Sequence, residues 1–224
     1  MKLQRLPFLL VPLMAVAMLL QAVPLFISAL NSLKVDFFLE DWQKREQIPN
    51  TRSWEAAHLA SSNSLKWAPV PNGQLFSQQG ELFLWQGFSV TDEDSQPPLT
   101  SALNAFTQDH QLRPTWPYPL LEMISIKMRL QETDTEFDQW VETFIETAQW
   151  RGDLLSQFVI ESLSHWAALN ARQRSIVYRT TAQALNMDRR VVRQIRVALE
   201  QTELLAAFCL YLSTQDVDST HLCR

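Results

Sequence analysis

The feature that most constrains this chain is an apolar run near its N-terminus. Residues Leu6–Leu30 contain two polar side chains, Gln21 and Ser28, among apolar residues and three prolines. As a helix this run is about 37 Å long, whereas the hydrocarbon core of a bilayer is about 30 Å thick. The sequence therefore predicts one transmembrane helix at 6–30, preceded by a cytoplasmic tail at 1–5.

The charges beside this run predict its orientation. Lys2 and Arg5 precede it, and the first charges after it are Lys34 and Asp36. Excess positive charge favours the cytoplasmic side, so the rest of the chain is expected to be translocated. In a Gram-negative bacterium the protein would be a single-pass inner-membrane protein with a periplasmic domain. The alternative is a cleaved signal peptide with the small–x–small sequence 15–17.

Composition favours helices throughout the remaining chain. The sequence has 4 glycines, and all 11 prolines lie at or before Pro119. Few glycines leave few residues for tight turns, and a proline-free stretch permits long helices. The net charge of −5 argues against a generally basic nucleic-acid-binding domain, and no nucleic acid is expected as a partner.

Local signals divide these helices into pairs. Pro114 disfavours helix at Arg113, and Pro117 suits the first turn of the next helix. Thr133 with Glu136 forms a capping-box pattern. Asn170 is a candidate helix N-cap, and the polar stretch Thr91–Pro98 is a candidate connector. The predicted helices lie at 53–66 and 74–88, 99–111 and 116–130, 133–148 and 154–169, and 171–186 with a continuation to 212.

The helical pairs begin near residues 53, 99, 134 and 171, and the last spacings are close to those of tetratricopeptide repeats. The predicted fold is all-α: an irregular, tetratricopeptide-like α-solenoid of helical pairs after the transmembrane helix. An ordinary helical bundle is the alternative. The predicted organisation is a tail at 1–5, an anchor at 6–30, a membrane-proximal helix and linker at 31–50, a helical-repeat domain at 51–212 and a C-terminal tail at 213–224.

One part of the sequence resembles a known family. The stretch 102–150, with its RPTWP motif at Arg113–Pro117 followed by Tyr118, is similar to a segment of VpsP-type accessory proteins of bacterial exopolysaccharide biosynthesis. Further matching features are Asp134 with Glu136 and Phe137, the stretch Ser162–Arg174, and the early segment PNGQLFSQQGELFLWQGF. The resemblance implies a role in polysaccharide assembly at the cell envelope, with other assembly proteins as partners. It supplies no catalytic residue.

Aromatic residues near the RPTWP motif are candidate contacts for a partner or a glycan. The chain has 8 tryptophans, and sugar rings can pack on indole faces. Trp85, Trp140 and Trp166 lie on apolar helical stripes, which is typical of core positions. Trp116 lies where a helix is expected to begin, and we therefore predict that Trp116, with Arg113 and Tyr118, forms a contact surface.

Arginines in the last third of the chain are a second candidate surface. Arg189, Arg193 and Arg196 share one helical face, which could meet an anionic polysaccharide, lipid headgroups or an acidic partner. A solvated helix face is the plainer interpretation. The stretch Thr181–Glu200 also looks like the helix-turn-helix of LysR-type regulators, in which case Arg189, Arg190 and Arg193 would contact DNA.

No catalytic constellation can be assembled from the sequence. It contains no HExxH, no GxSxG elbow and no glycine-rich phosphate loop. We expect a non-catalytic protein with no cofactor and no metal, although a glycan-modifying enzyme is a third hypothesis. The two cysteines, Cys209 and Cys223, either form one disulfide in an oxidising compartment or remain as a buried and a free thiol.

These observations predict a membrane-anchored periplasmic helical scaffold that assists exopolysaccharide biosynthesis or export. Anionic polysaccharide is a further candidate partner. The alternative function is that of a membrane-tethered helix-turn-helix regulator.

Overall fold

The computed structural model describes residues 6–88, 96–187, 189–215, 217 and 219–223, without the side chains of residues 6–13, 15, 17, 19, 21 and 189. Within this part of the chain the protein is all-helical and has no strand, so the predicted fold class is confirmed at that level. The predicted tail 1–5 lies outside the described residues.

Eleven α-helices follow one another in the described residues. They are α1 (Leu6–Arg45), α2 (Thr51–Trp67), α3 (Gly73–Phe88), α4 (Gln96–Leu112), α5 (Pro117–Arg129), α6 (Thr135–Thr147), α7 (Gly152–Ser164), α8 (Ala171–Met187), α9 (Val192–Gln201), α10 (Leu205–Leu212) and α11 (Thr220–Cys223).

The chain divides into two compact units, Met1–Leu112 and Arg113–Arg224. The first unit holds α1 to α4, and the second holds α5 to α11. The boundary falls between α4 and α5, which the repeat pattern placed in one helical pair. The solenoid arrangement therefore stays a prediction.

In the first unit, α1 is one helix of 40 residues that unites the predicted anchor with the predicted membrane-proximal helix. Among the described residues, one segment is long and apolar enough to cross a membrane, and it is Ala22–Arg45 of α1. Val23, Leu25 and Phe26 are exposed on this segment. Its later part packs against protein, because Val35, Leu39 and Trp42 are buried.

The buried face of α1 forms a small core with α2 and α3. Trp42 packs on Trp85 of α3, with ring centroids 5.9 Å apart, and its indole N–H donates to Ser53 Oγ at 3.2 Å. The indole of Trp54 donates to the carbonyl of Leu82 at 2.9 Å. Because both indole N–H groups have acceptors, Trp42 is buried and Trp54 is partly buried without leaving a donor unpaired.

Helices α3 and α4 pack closely through a glycine. A Cβ added at Gly80 would lie 2.7–2.9 Å from three ring carbons of Phe106, whose side chain is buried. The same atom added at Gly87 would meet Leu99 at 3.6 Å, an ordinary contact. Helix α4 begins at Gln96, within the predicted connector Thr91–Pro98, because prolines are tolerated in a first helical turn. Residues 91–95 of that connector lie outside the described residues.

In the second unit, α6 begins one residue later than the capping-box pattern predicts. Asp134, rather than Thr133, is the N-cap, and its Oδ1 accepts from the Phe137 N–H at 2.9 Å. The hydroxyl of Thr133 instead donates to the Ala168 carbonyl at 3.1 Å. Asn170 does cap α8 through its side chain, which accepts from the N–H of Gln173 at 3.0 Å.

The predicted continuation of the last helix to residue 212 is wrong. Helix α9 ends at Gln201, and α10 begins at Leu205 after Glu203, which has a φ of 60°. A non-glycine residue in this left-handed region ends a helix. Cys209 of α10 is joined by a disulfide to Cys223 of α11, so the predicted tail 213–224 contains a short helix tied to the unit.

The two glycines of α3 give a direct test of this packing. Gly80→Ala should lower the free energy of unfolding by about 1–3 kcal/mol, because the buried Phe106 ring must move. Gly87→Ala should be neutral or should stabilise by up to about 1 kcal/mol, because alanine favours helix and the site has room. Guanidinium unfolding of the two variants in detergent measures both effects. Equal stability of the two variants would contradict the close approach of Phe106.

Candidate functional site

The most distinctive exposed feature of the second unit is a stacked aromatic pair at the start of α5. The rings of Trp116 and Tyr118 lie with centroids 5.1 Å apart and an interplanar angle of 28°. Trp116 is 43% exposed and Tyr118 is 36% exposed. Aromatic side chains that are exposed to this extent on a helical unit can contact a ligand, because part of each ring is in contact with water.

Two arginines flank this pair. The guanidinium carbon of Arg113 lies 5.8 Å from the Trp116 ring centroid, and that of Arg151 lies 5.1 Å from the Tyr118 ring centroid. Arg151 also donates to the Tyr118 hydroxyl oxygen and forms an ion pair with Asp153, with Nη2 2.7 Å from Oδ2. We call these five residues, Arg113, Trp116, Tyr118, Arg151 and Asp153, the Trp116 cluster.

The local sequence fixes the aromatic half of the cluster. The N–H of Trp116 donates to the Arg113 carbonyl at 2.9 Å, which closes a turn before the helix. Pro117 follows as the first residue of α5, and its ring restricts the backbone between the two aromatic side chains. Pro119, the third residue of α5, is buried. The Trp116–Tyr118 pair is therefore held by a backbone with little freedom.

Arg151 and Asp153, the charged pair of the cluster, each stabilise the charge of the other. A hydrogen bond from Arg151 holds the pKa of the Asp153 carboxyl below its usual range. Hydrogen bonds to Asp153 and Tyr118 raise the pKa of the Arg151 guanidinium. Arg151 and Asp153 therefore form a charged pair beside the Tyr118 ring, and Arg113 places a second guanidinium group beside the Trp116 ring.

The structure brings together three residues that the sequence predicted as contacts, namely Arg113, Trp116 and Tyr118. Sequence reasoning missed Arg151 and Asp153, which lie at the turn between α6 and α7. The available signal was Trp150–Gly152, where an arginine stands between an aromatic residue and the glycine that opens α7. No spacing rule connects that turn with residues 113–118.

The arginine stripe predicted on the last helices is divided in the structure. Arg193 lines an open groove of about 830 Å³ between α7 and α9, together with Arg190 and Asp153 of the Trp116 cluster. Arg196 instead pairs with Glu200, with Nε 2.8 Å from Oε1. The side chain of Arg189 lies outside the described residues. Among the described residues, Asp153 is the one that the groove lining shares with the Trp116 cluster.

Trp150 is the most exposed tryptophan of the chain, at 80%. It lines a separate shallow cavity with Gln149, Gln183, Asn186 and Met187. It neighbours Arg151 in sequence, yet the rings that contact the arginines are those of Trp116 and Tyr118. Trp150 is therefore a useful comparison for the Trp116 cluster, since it is equally aromatic and more exposed.

A second charged group in this unit has a structural role. The Lys127 ammonium is nearly inaccessible and lies 2.9 Å from Asp134 Oδ2 and 2.7 Å from Glu136 Oε2, with the Trp140 ring centroid at 5.0 Å. Burial alone lowers the pKa of Lys127, but hydrogen bonds to the two carboxylates outweigh burial and raise it. A lysine held as a cation in this way links α5 to α6 and does not act as a general base. We call the ion pairs of Lys127 with Asp134 and Glu136 the Lys127 tie.

The part of the chain that the structure describes contains no group of three histidine, cysteine, aspartate or glutamate side chains placed to hold a metal ion. Comparison of the sequence with protein-family models and with curated proteins, and comparison of the fold with solved structures, find no match.

The Lys127 tie predicts an acid-sensitive contribution to stability. Lys127 lowers the pKa of Asp134, so the stabilisation is present above the unfolded pKa of about 4 and is lost as pH falls through the lower folded value. Asp134→Asn should remove this pH dependence while keeping the N-cap. Asp134→Ala should cost about 1 kcal/mol more than Asp134→Asn, because the cap is also lost.

Guanidinium unfolding at pH 7 and at pH 3 measures both parts of this prediction. Glu146→Gln is a comparison variant, since Glu146 is an exposed carboxylate of the same helix. If Asp134→Asn and the unmodified protein lose stability equally on acidification, the tie does not contribute.

Proposed function

We propose that this protein is a membrane-anchored, non-catalytic helical accessory protein of exopolysaccharide assembly, with its folded units in the periplasm. The observation that carries the proposal is the Trp116 cluster. Support also comes from α1, which has a segment long and apolar enough to cross a membrane. The sequence resemblance to VpsP-type accessory proteins adds further support, because the RPTWP motif of this chain and the Tyr118 that follows it supply the two rings of the cluster.

The chemistry of the cluster matches that of an acidic polysaccharide. Sugar rings have apolar C–H faces that pack on aromatic rings, and Trp116 and Tyr118 offer a stacked, exposed pair. Uronate carboxylates and other anionic substituents are bound by guanidinium groups, which present planar pairs of donors. Arg113 and Arg151 lie beside the rings, so one sugar unit could contact both kinds of group.

The disulfide between Cys209 and Cys223 supports the proposed compartment. Disulfides persist in the periplasm, whereas cytosolic thiols are kept reduced. The scaffold role itself rests on the helical units, whose surfaces would hold other components of polysaccharide assembly in place.

Binding to defined polysaccharides tests the proposal. The full-length protein in detergent should be retarded in affinity electrophoresis by alginate, an acidic polysaccharide, and less by neutral dextran. Trp116→Ala should weaken the interaction with alginate about tenfold, which corresponds to the loss of one aromatic contact of about 1.4 kcal/mol. Arg151→Gln should reduce the preference for alginate over dextran.

Trp150→Ala is the matched control, because it removes a more exposed tryptophan outside the cluster. It should leave alginate retardation unchanged. Equal weakening by Trp116→Ala and Trp150→Ala would point to non-specific aromatic binding and would contradict the proposed site.

Topology is tested separately. In spheroplasts, external protease should digest the folded units of the full-length protein, and a C-terminal alkaline phosphatase fusion should be active. An inactive alkaline phosphatase fusion, with a C-terminal reporter that is active only in the cytosol, would overturn the periplasmic location.

The same test separates the alternative function. Helices α8 and α9 follow one another through a short turn at 189–191, and Arg190 and Arg193 are exposed there. This order is that of a helix-turn-helix, so a cytosolic location would favour a membrane-tethered DNA-binding regulator.

A further inference from the structure

The connection between α2 and α3 lies beside the membrane-crossing part of α1. Helix α2 runs antiparallel to α1, because Trp42 contacts Ser53 and the Ser28 hydroxyl donates to the Ser64 carbonyl at 2.8 Å. From Ser64, α2 advances about 4.5 Å further to Trp67. The connection therefore reaches the level of residues 22–27 of α1.

Helix α3 places the other end of the connection at the same level. The hydroxyl of Ser32 donates to the Gln78 side chain at 3.0 Å. Gly73, the first residue of α3, lies five residues before Gln78, or about 7.5 Å nearer the N-terminal end of α1. Both ends of the connection thus lie alongside Val23 and Phe26, whose side chains are exposed.

The length of a bilayer span determines where residues 22–27 of α1 lie relative to the hydrocarbon core. Arg5 precedes the apolar run, and a hydrocarbon core of about 30 Å requires about 20 helical residues. A span that begins at Leu6 ends near residue 26. If the span begins later, it ends further along α1, and the connection lies still deeper. In either case the connection lies at the edge of the hydrocarbon core or within the core.

The side chains of this connection suit a lipid surface. Trp67 is 41% exposed and Val70 is 65% exposed, and Lys66 beside them is also exposed. Tryptophan and lysine are the residues that favour the headgroup region of a membrane. From Ala56 to Gly80 the chain has no aspartate or glutamate, so no carboxylate opposes anionic lipid headgroups.

The backbone of the connection is also suited to a region poor in water. Pro69 and Pro71 have no N–H group to leave unpaired. The Ala68 N–H donates to the Leu65 carbonyl at 3.3 Å, and the Asn72 side chain accepts from the Gln74 N–H at 3.0 Å. The two prolines and these two bonds therefore reduce the number of backbone donors that lack a partner at this surface.

We propose that residues 67–72, the α2–α3 loop, form a second membrane contact that inserts Trp67 and Val70 into the leaflet beside α1. The proposal rests on α1 crossing the bilayer, which is part of the proposed function. With two contacts at one end, the first unit would be held at a fixed angle to the membrane instead of pivoting on a single helix.

Fluorescent labelling of the full-length, oxidised protein in phosphatidylethanolamine–phosphatidylglycerol nanodiscs tests this proposal. The natural cysteines are joined to each other, so Val70→Cys introduces one reactive thiol for the environment-sensitive dye NBD. The label should emit at shorter wavelength and lose more than half of its fluorescence to lipids with a nitroxide near the headgroup or to lipids with a nitroxide along the acyl chain. Ile48→Cys, exposed beyond the far end of α1, is the matched control and should show neither effect.

Val23→Cys, labelled in the same way, reports on α1 itself. Quenching at residues 23 and 70 but not at 48 supports the loop contact. Quenching at 23 alone overturns the loop contact and leaves the anchor intact, whereas no quenching at 23 overturns the anchor. A blue-shifted but unquenched label at 70 shows that protein, such as a second copy of this chain, covers the loop, and this also overturns the proposal.

Discussion

The structure of the first unit depends on one helix that meets two environments. The early part of α1 exposes apolar side chains such as Val23 and Phe26, whereas its later part buries Val35, Leu39 and Trp42 against α2 and α3. If all of α1 were in water, its exposed early part and its later part would be equally able to pack on other apolar surfaces. In the proposed anchoring, a bilayer would surround the early part and leave the later part as the surface on which α2 and α3 assemble. Contacts such as that between Ser28 and Ser64 would then set the position of the first unit relative to the bilayer.

The second unit is held by a larger core and by polar ties at its helix ends. Phe144 of α6 and Phe158 of α7 pack with ring centroids 5.6 Å apart, and α8 and α9 extend this core with buried residues such as Val177 and Ile195. Lys127 joins α5 to α6, and the Cys209–Cys223 disulfide joins α10 to α11. The Lys127 ion pairs lie at the junction of two helices, since Lys127 is in the last turn of α5 and Asp134 is the N-cap of α6.

The Trp116 cluster combines rigidity with exposure. Its aromatic half comes from a proline-bounded turn, and its arginine half comes from a second turn that tertiary packing brings alongside. A surface of this kind recognises shape and charge without needing a deep cavity. Such recognition suits a long, repetitive and flexible ligand, because each short segment of the ligand can occupy the surface in turn. A scaffold of polysaccharide assembly would use weak contacts of this type.

The sequence by itself determined the helical class, the apolar N-terminal helix and most helix positions, because helical periodicity, proline and glycine act over a few residues. It also identified Arg113, Trp116 and Tyr118, which share one turn. The tertiary structure alone decided that Asp134 caps α6, that α9 ends before Glu203, that the chain divides after Leu112, and that Arg151 and Asp153 complete the cluster. The division and the completed cluster depend on contacts between residues distant in sequence, for which neither periodicity nor spacing carries a signal. Thr133 is likewise bonded to the distant Ala168, whereas the end of α9 is a local turn at Glu203 that no glycine marks.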